Sequence, residues 1–323
     1  MNVLVTGGAG YVGGTVATIL MQAGHQVTIL DNLCHSKRHE LPPGAAFVEA
    51  DIADRPRVES LLRELKPDGV LHFAALIEAG ESMQKPEIYF RNNTASTLSL
   101  LEAMLATGTN KLVFSSTAAV YGEPEVTPIA ESAALAPTNA YGESKLLVEH
   151  MLRWFNRIHG FRYASLRYFN VAGALPNRGE AHEPETHIIP LLLDVALGRR
   201  EKIFIFGDDY STPDGTCIRD YIHVADLADA HILALNALST RDKMILNLGN
   251  GSGFSVKQVI EAARRVTGHP IPVEIKPRRP GDPARLVASS EQAKSDLGWK
   301  PKHPELDAIL SSAWAWHQQR YAS

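Results

Sequence analysis

Tyr141 and Lys145 stand four residues apart in Tyr-Gly-Glu-Ser-Lys, a spacing that sets a phenol and an ammonium on one face of a helix. A free phenol titrates near ~10, so making it a base at neutral pH takes roughly 4 kcal/mol. One cation at ~4 Å supplies about that much at an effective dielectric near 20. Removing a proton from a hydroxyl is therefore within reach of this pair. Upstream, a strand-like run leads into Ser115-Ser116-Thr117. A hydroxyl at the carboxyl end of a central strand faces the ligand crevice of an open α/β sheet, so Thr117 could bond the hydroxyl that Tyr141 deprotonates. By themselves these residues read far more readily as ordinary helix surface and a small-residue turn. Their weight comes from what precedes them.

What precedes them is Gly7-Gly8-Ala9-Gly10-Tyr11-Val12-Gly13, set between a strand and an amphipathic helix. That arrangement implies a dinucleotide with its pyrophosphate held over Gly8, Gly10 and Gly13, on unpaired amides at a helix N-terminus. Gly10 lets the backbone approach the phosphates, and Gly13 lets helix and strand pack closely. Asp31 ends the next strand, placed for the adenosine ribose hydroxyls. Its carboxylate would repel the extra phosphate of NADP, so NAD is the expected cofactor. Lys37 and Arg38 follow it without outweighing it. Asp51, after the third strand, reads either as an adenine-side contact or as an ordinary helix-capping acid.

These groups need a scaffold, and the periodicity supplies one. Residues 3–6, 27–30, 47–49, 70–73, 112–115 and 163–167 read as buried strands. Between them, 11–23, 56–65, 88–106 and 141–159 carry apolar residues at helical spacing. Repeated strand–helix–strand units mean a parallel sheet covered on both faces. Beyond Asn170, residues 173–187 and 207–217 are too rich in Gly, Pro and charge for further sheet units and read as loops around a ligand. A helix at 224–238 and a strand at 245–248 then return to the sheet, and the end is mainly helical, with an irregular stretch at 276–285. The expected fold is α/β: a Rossmann-type doubly wound parallel sheet with a smaller α/β lobe. Residues 1–170, rejoined by about 220–248, would hold NAD, and 171–219 with 249–323 would form the other lobe.

Composition narrows the partners. The chain has 323 residues, 45% of them hydrophobic and 21% charged, with a formal net charge of −4. Nothing in that balance favours nucleic acid or an anionic membrane surface. The most apolar helical segment, 188–197, is interrupted by Pro190 and Asp194 and is far short of the ~20 residues of a membrane span. Cys34 and Cys217 are too few for a disulfide framework, and the chain enters a strand without a basic leader, so a cytoplasmic location is expected.

Over nearly its whole length the chain resembles the extended short-chain dehydrogenase/reductase family, in particular its nucleotide-sugar epimerases. The opening glycine turn, Asp31-Asn32-Leu33, His72-Phe73-Ala74-Ala75, Gly80-Glu81-Ser82 and Tyr168-Phe169-Asn170 carry the likeness. More specific are Ile205-Phe206-Gly207-Asp208-Asp209-Tyr210, Asp214-Gly215-Thr216 and Arg219-Asp220-Tyr221-Ile222-His223-Val224. The resemblance implies that Thr117, Tyr141 and Lys145 are catalytic. Tyr141 would take the proton of a UDP-sugar's 4-hydroxyl while NAD takes the hydride from carbon 4. The 4-keto sugar would turn over and recover the hydride on its other face, interconverting UDP-galactose and UDP-glucose. Implied NAD contacts are Gly7, Gly10, Tyr11, Val12, Gly13, Asp31, Asn32, Asp51, Ile52, Phe73, Ala74, Ala75, Asn92, Ser115, Tyr141, Lys145 and Tyr168. Implied substrate contacts are Thr117, Asn170, His187, Ile188, Phe204, Phe206, Arg219, Arg279, Asp282 and Leu286. Guanidinium forks suit a diphosphate and an aromatic face suits a base, although 276–285 also reads as a solvated basic loop. The resemblance further implies a homodimer through the helices of 88–106 and 141–159, with Leu98, Leu101, Leu105, Leu147 and Met151 beyond a single stripe. Burial of those residues within one chain is the alternative.

The chain departs from the family pattern at several places. Ile77 stands where a lysine near the cofactor phosphates is frequent, Ala119 where a threonine is, and His187 where an asparagine is. Leu286 falls where the family varies the room for an N-acetyl group, which keeps UDP-N-acetylhexosamines open, as are UDP-pentoses and UDP-uronic acids. Dehydratases of this scaffold carry an Asp-Glu pair directly after the catalytic hydroxyl; here Ala118 and Ala119 stand there. A decarboxylase of UDP-uronic acids remains a rival, and a non-catalytic NAD sensor would be expected to have lost Tyr141 or Lys145. No metal site is expected: His182 and His187 are five apart, and Pro184 breaks the helix that would align them.

Overall fold

The alternation of short apolar runs and longer amphipathic segments is realised as a doubly wound sheet in the computed structural model, which describes residues 1–279 and 282–322. Pro280 and Gly281, inside the irregular stretch, and Ser323, at the end of the smaller lobe's segment, lie outside the described residues. In chain order, β1 (Asn2–Thr6), α1 (Tyr11–Gln22), β2 (Gln26–Asp31), β3 (Ala46–Glu49), α2 (Arg55–Leu65) and β4 (Gly69–His72) form the first half of the parallel layer. Two short helices, α3 (Ala79–Ser82) and α4 (Pro86–Tyr89), precede a π-helical stretch, Phe90–Ala95, and α5 (Ser96–Thr107). Then come β5 (Lys111–Thr117), α6 (Ala140–His159) and β6 (Arg162–Tyr168).

The second half begins with β7 (Asn170–Ala172), α7 (Ile188–Ala196), β8 (Ile203–Phe206), β9 (Ile218–Arg219), β10 (Tyr221–His223) and α8 (Val224–Ala237). β11 (Lys243–Leu248), β12 (Phe254–Ser255), α9 (Val256–Thr267), β13 (Val273–Lys276) and β14 (Arg285–Leu286) follow, with α10 (Glu291–Leu297) and α11 (Leu306–Arg320) at the end.

Seven strands pair in parallel in the order β11-β6-β5-β4-β1-β2-β3. The order reverses at β1, which pairs with β2 on one side (Val3 opposite Val27) and β4 on the other (Val3 opposite Gly69). Such a switch point opens a crevice at the carboxyl ends of the strands. Alternation along each strand divides the core: Val3 and Val5 pack with α1 and α8 on one face, and Leu4 packs with α2, α5 and α6 on the other. The smaller lobe has its own core, built on α7, α9 and α11. Its strands form small sheets that the sequence reading did not identify: β7 with β10, β8 with β13, and β9 between β12 and β14. Strands of two to four residues are too short to show a period.

Two further expectations change. The single helix of 88–106 is three pieces, because the π-helical turn re-aims Asn92 and Asn93 toward neighbouring elements without any Gly or Pro to announce it. Leu101, offered as an interface residue, is fully buried within the chain, whereas Leu98 and Leu105 are exposed. No helix among the described residues is long and apolar enough to cross a membrane.

Candidate active site

At the end of β1 the chain turns through Gly7, whose φ of 72° is left-handed. A Cβ there would lie 2.7 Å from the Ala74 Cα, and one on Gly13 would lie 3.0 Å from the Gly7 carbonyl carbon. Glycine is required at both because the continuation of β4 and the start of α1 close on the turn. Gly8 behaves differently: a Cβ would lie 2.8 Å from the Ile29 side chain, so this residue packs on β2 rather than facing a ligand. The seat expected over Gly8, Gly10 and Gly13 is therefore a seat over Gly7, Gly10 and Gly13. Gly10 caps α1 without a side chain, which leaves first-turn amides for an anion. This glycine cradle fits the diphosphate of a dinucleotide.

The cradle is one wall of a cavity of about 320 Å³. From the β1–β3 side it is lined by Tyr11, Val12, Asp31, Asn32, Asp51 and Ile52 besides the glycines. From the β4–β6 side come Phe73, Ala74, Ala75, Asn92, Ser115, Thr117, Tyr141, Lys145 and Tyr168. Asp31 accepts the amides of Ala9 (3.0 Å) and Leu33 (2.9 Å). Burial pushes its carboxyl up while those amides pull it down. Asp51 accepts from the Asn32 side chain and the Ala53 amide, both at 2.8 Å, and it is Asp54 that caps α2. The capping reading of Asp51 is thereby replaced. Ile77, Cys34, His35 and Ser36 also line the cavity. The sequence reading missed the last three because a loop segment carries no period.

Asn139 caps α6 through the Gly142 amide (2.8 Å), which puts Tyr141 in the first turn of the helix. Tyr141 and Lys145 then line the cavity, with Thr117 on the same wall. Burial pushes the Tyr141 phenol above its ordinary range, and the neighbouring Thr117 hydroxyl works against the shift. Lys145 is 2% exposed and donates to the Ser115 carbonyl at 2.9 Å. Burial brings its ammonium down to about 7. The Ser115 hydroxyl bonds the Tyr168 phenol. Positioning groups that sequence reasoning passed over surround this set. Asn93 accepts from the Leu76 amide (2.8 Å) and donates to the Leu76 carbonyl (2.9 Å) and the Ser144 hydroxyl (3.0 Å), which ties the β4 loop to α6.

A second cavity, of about 330 Å³, lies in the smaller lobe and shares Tyr11, Asn170, Val171, Glu180 and His187 with the first. The two form one continuous cleft. Ile188, Phe204, Phe206, Arg219, Arg279 and Asp282 line the second part. The Arg279 guanidinium sits 3.9 Å over the Phe206 ring, and Arg219 donates to Asp282 (2.9 Å) and to the Pro283 carbonyl (2.8 Å). Of the described residues of this stretch, Arg279 and Asp282 thus reach the cavity wall, while Pro277, Arg278 and Arg285 are exposed as a solvated loop would have them. His187 bonds Glu185 at 2.8 Å. Burial opposes its charge, but Glu185 and Glu180 raise it to about 9, so a cation stands where the two cavities meet. Leu286 lines neither cavity; it packs on the cluster of Ala118, Val120, Tyr121, Ile129 and Leu146 behind the Thr117 turn.

A glycine cradle at the switch point of a parallel sheet, with Thr, Tyr and Lys across the crevice, defines a nucleotide-dependent oxidoreductase-type scaffold. The chain belongs to the NAD dependent epimerase/dehydratase family, whose model matches residues 3–249. It is 56% identical over 317 residues to the UDP-glucose 4-epimerase of Streptomyces lividans, covering 97% of this chain and 95% of that protein. It is 54% identical over 315 residues to the UDP-glucose 4-epimerase of Corynebacterium glutamicum, covering 98% and 95%. Among solved structures, a UDP-glucose-4-epimerase from Stenotrophomonas maltophila with bound NAD and formylated UDP-arabinopyranose superposes with a TM-score of 0.96. That pair is 42% identical, over 100% of this chain and 99% of the other.

Proposed function

We infer that the chain interconverts UDP-galactose and UDP-glucose by epimerisation at carbon 4 of the hexose, with NAD as a resident cofactor. The observation that carries this reading is the Thr117–Tyr141 hydroxyl pair on a cofactor cavity that runs into an arginine-bearing one. High identity to UDP-glucose 4-epimerases along nearly the whole chain supports it. Tyr141 takes the proton from the 4-hydroxyl and later returns it to the same oxygen. Thr117, on the same cavity wall, bonds the sugar hydroxyl that Tyr141 deprotonates. Lys145, anchored on the Ser115 carbonyl, keeps positive charge near the phenol. NAD, when bound along Gly7, Gly10, Gly13, Asp31, Asn32 and the other cavity residues, supplies reversible two-electron oxidation of carbon 4. Arg219, Arg279 and His187 hold the diphosphate while the hexose turns over, and Phe206 gives the base a flat face.

Ala118 and Ala119 supply no acid or base for loss of water, which disfavours dehydration. Leu286 acts on room for the sugar only through the turn it supports. We assign 1–170 with 220–248 to the cofactor, and 171–219 with 249–323 to the sugar nucleotide. A homodimer through α5 and α6 is part of the same reading, as is residence in the cytoplasm. Purified protein given UDP-galactose, without added reductant and followed by NMR, should yield UDP-glucose with no net NADH. A 4-keto-6-deoxy product or released carbon dioxide would overturn the reading. UDP-N-acetylgalactosamine run alongside decides whether acetylated sugars are also turned over.

A further inference from the structure

Arg178 belongs to the smaller lobe's loop, yet its guanidinium lies against the glycine turn of the other lobe. One terminal nitrogen donates to the carbonyls of Ala9 (2.8 Å) and Gly10 (2.7 Å), and the other donates to the Glu40 carbonyl. The space it occupies exists because residue 14 is glycine: a Cβ there would collide with the guanidinium. Around it the loop is fixed to both sides of the cleft. Tyr11 donates its hydroxyl to the Gly173 carbonyl (2.6 Å), and the Trp316 indole donates to the Glu180 carbonyl (3.2 Å).

A trans peptide points its N–H opposite its C=O. Holding the Gly10 carbonyl therefore aims the Tyr11 amide the other way, and Tyr11 lines the cavity. A hydrogen bond on the carbonyl also polarises the amide, which makes it a stronger donor to an anion. The charge has no partner of its own. Among the described residues no carboxylate makes an ion pair with Arg178; the side-chain carboxylates of Glu40 and Glu180 act on it only through space. Burial lowers it to about 10, which leaves it positive at neutral pH beside a helix N-terminus that disfavours cations. An anion bound at that terminus supplies the missing counter-charge.

We propose that Arg178 is a positioning residue for the dinucleotide diphosphate, aiming the first-turn amides of α1 and coupling cofactor retention to the loop that lines both cavities. The proposal rests on the NAD reading above. Titration calorimetry with NAD and with ADP-ribose, on unsubstituted protein and on Arg178→Met, Arg178→Lys and Gly14→Ala, tests it. The expected result is affinity about tenfold weaker or more for Arg178→Met, equal for the two ligands because both carry the diphosphate. Arg178→Lys should recover part of the loss, since it keeps the charge but not the fork. Gly14→Ala, which displaces the guanidinium without removing it, should weaken both ligands. Combined with Arg178→Met it should add nothing further. Folded Arg178→Met with unchanged affinity, loss confined to NAD, or additive losses in the double variant would each overturn the proposal. Failure of the unsubstituted protein to bind either ligand would sink the NAD reading, and this proposal with it.

Discussion

Burial acts on Tyr141 and Lys145 in opposite senses, and both shifts oppose the base chemistry assigned to the pair. The phenol rises, the ammonium falls to about 7, and the ammonium spends a hydrogen bond on the Ser115 carbonyl. Lys145 alone is then a weaker source of field than its spacing implies, and further positive charge in the cavity is needed to ready Tyr141. Tyr141→Phe should lower turnover by about 10²–10⁴ while calorimetry shows NAD affinity unchanged; full activity would refute the assignment. His187 gives the pH test. Its folded value of about 9 lies above the ordinary 6.5, so its attraction to Glu185 and Glu180 is fully present below about 6.5. That attraction is lost as pH rises through about 9. UDP affinity should fall over that upper range, and the His187 ring resonances should titrate there; a midpoint near 6.5 would rule this out.

Elements matter through what anchors them behind the crevice. The last residues of β5 are backed by a buried ion pair between Glu149 of α6 and Arg167 of β6. Glu149 accepts from the Ser116 hydroxyl (2.6 Å) and the Arg167 Nε (2.9 Å), and Arg167 donates to the Tyr121 hydroxyl (2.9 Å). Because Ser116 precedes Thr117, the network bears on the pose of the Thr117 hydroxyl as well as on the junction of helix and strands. Removing one member strands a buried charge. Glu149→Ala should cost about 3–5 kcal/mol in urea unfolding, far more than a surface pair. A loss below about 1 kcal/mol would show that the network is dispensable.

For the whole molecule, α5 and α6 leave Leu98, Leu105, Trp154 and Ile158 exposed, the last two at 51% and 64%. Large apolar groups on two adjacent helices are what a self-complementary interface would cover. Trp154→Glu with Ile158→Glu should therefore convert a dimer to a monomer in analytical ultracentrifugation, with each chain still folded. A dimer that survives both changes would place the interface elsewhere.

The sequence by itself determined the parallel layer and marked the glycine turn and the Tyr–Lys pair as candidates, because those depend on short-range regularities. Strand runs, helical stripes, the glycine spacing and the Tyr–Lys interval are each complete within about twenty residues. It did not reveal the π-helical turn at Asn92 and Asn93, the short strands of the smaller lobe or the inward turn of Gly8. Nor did it show Arg178 lying on the glycine turn, 168 residues from the Gly10 carbonyl that it holds. Each of those is decided by partners distant in the chain, whose hydrogen bonds and packing outweigh weak local preference. The cleft itself belongs to the tertiary structure: its two cavities join where Tyr11, Asn170, Val171, Glu180 and His187 meet from separate parts of the sequence.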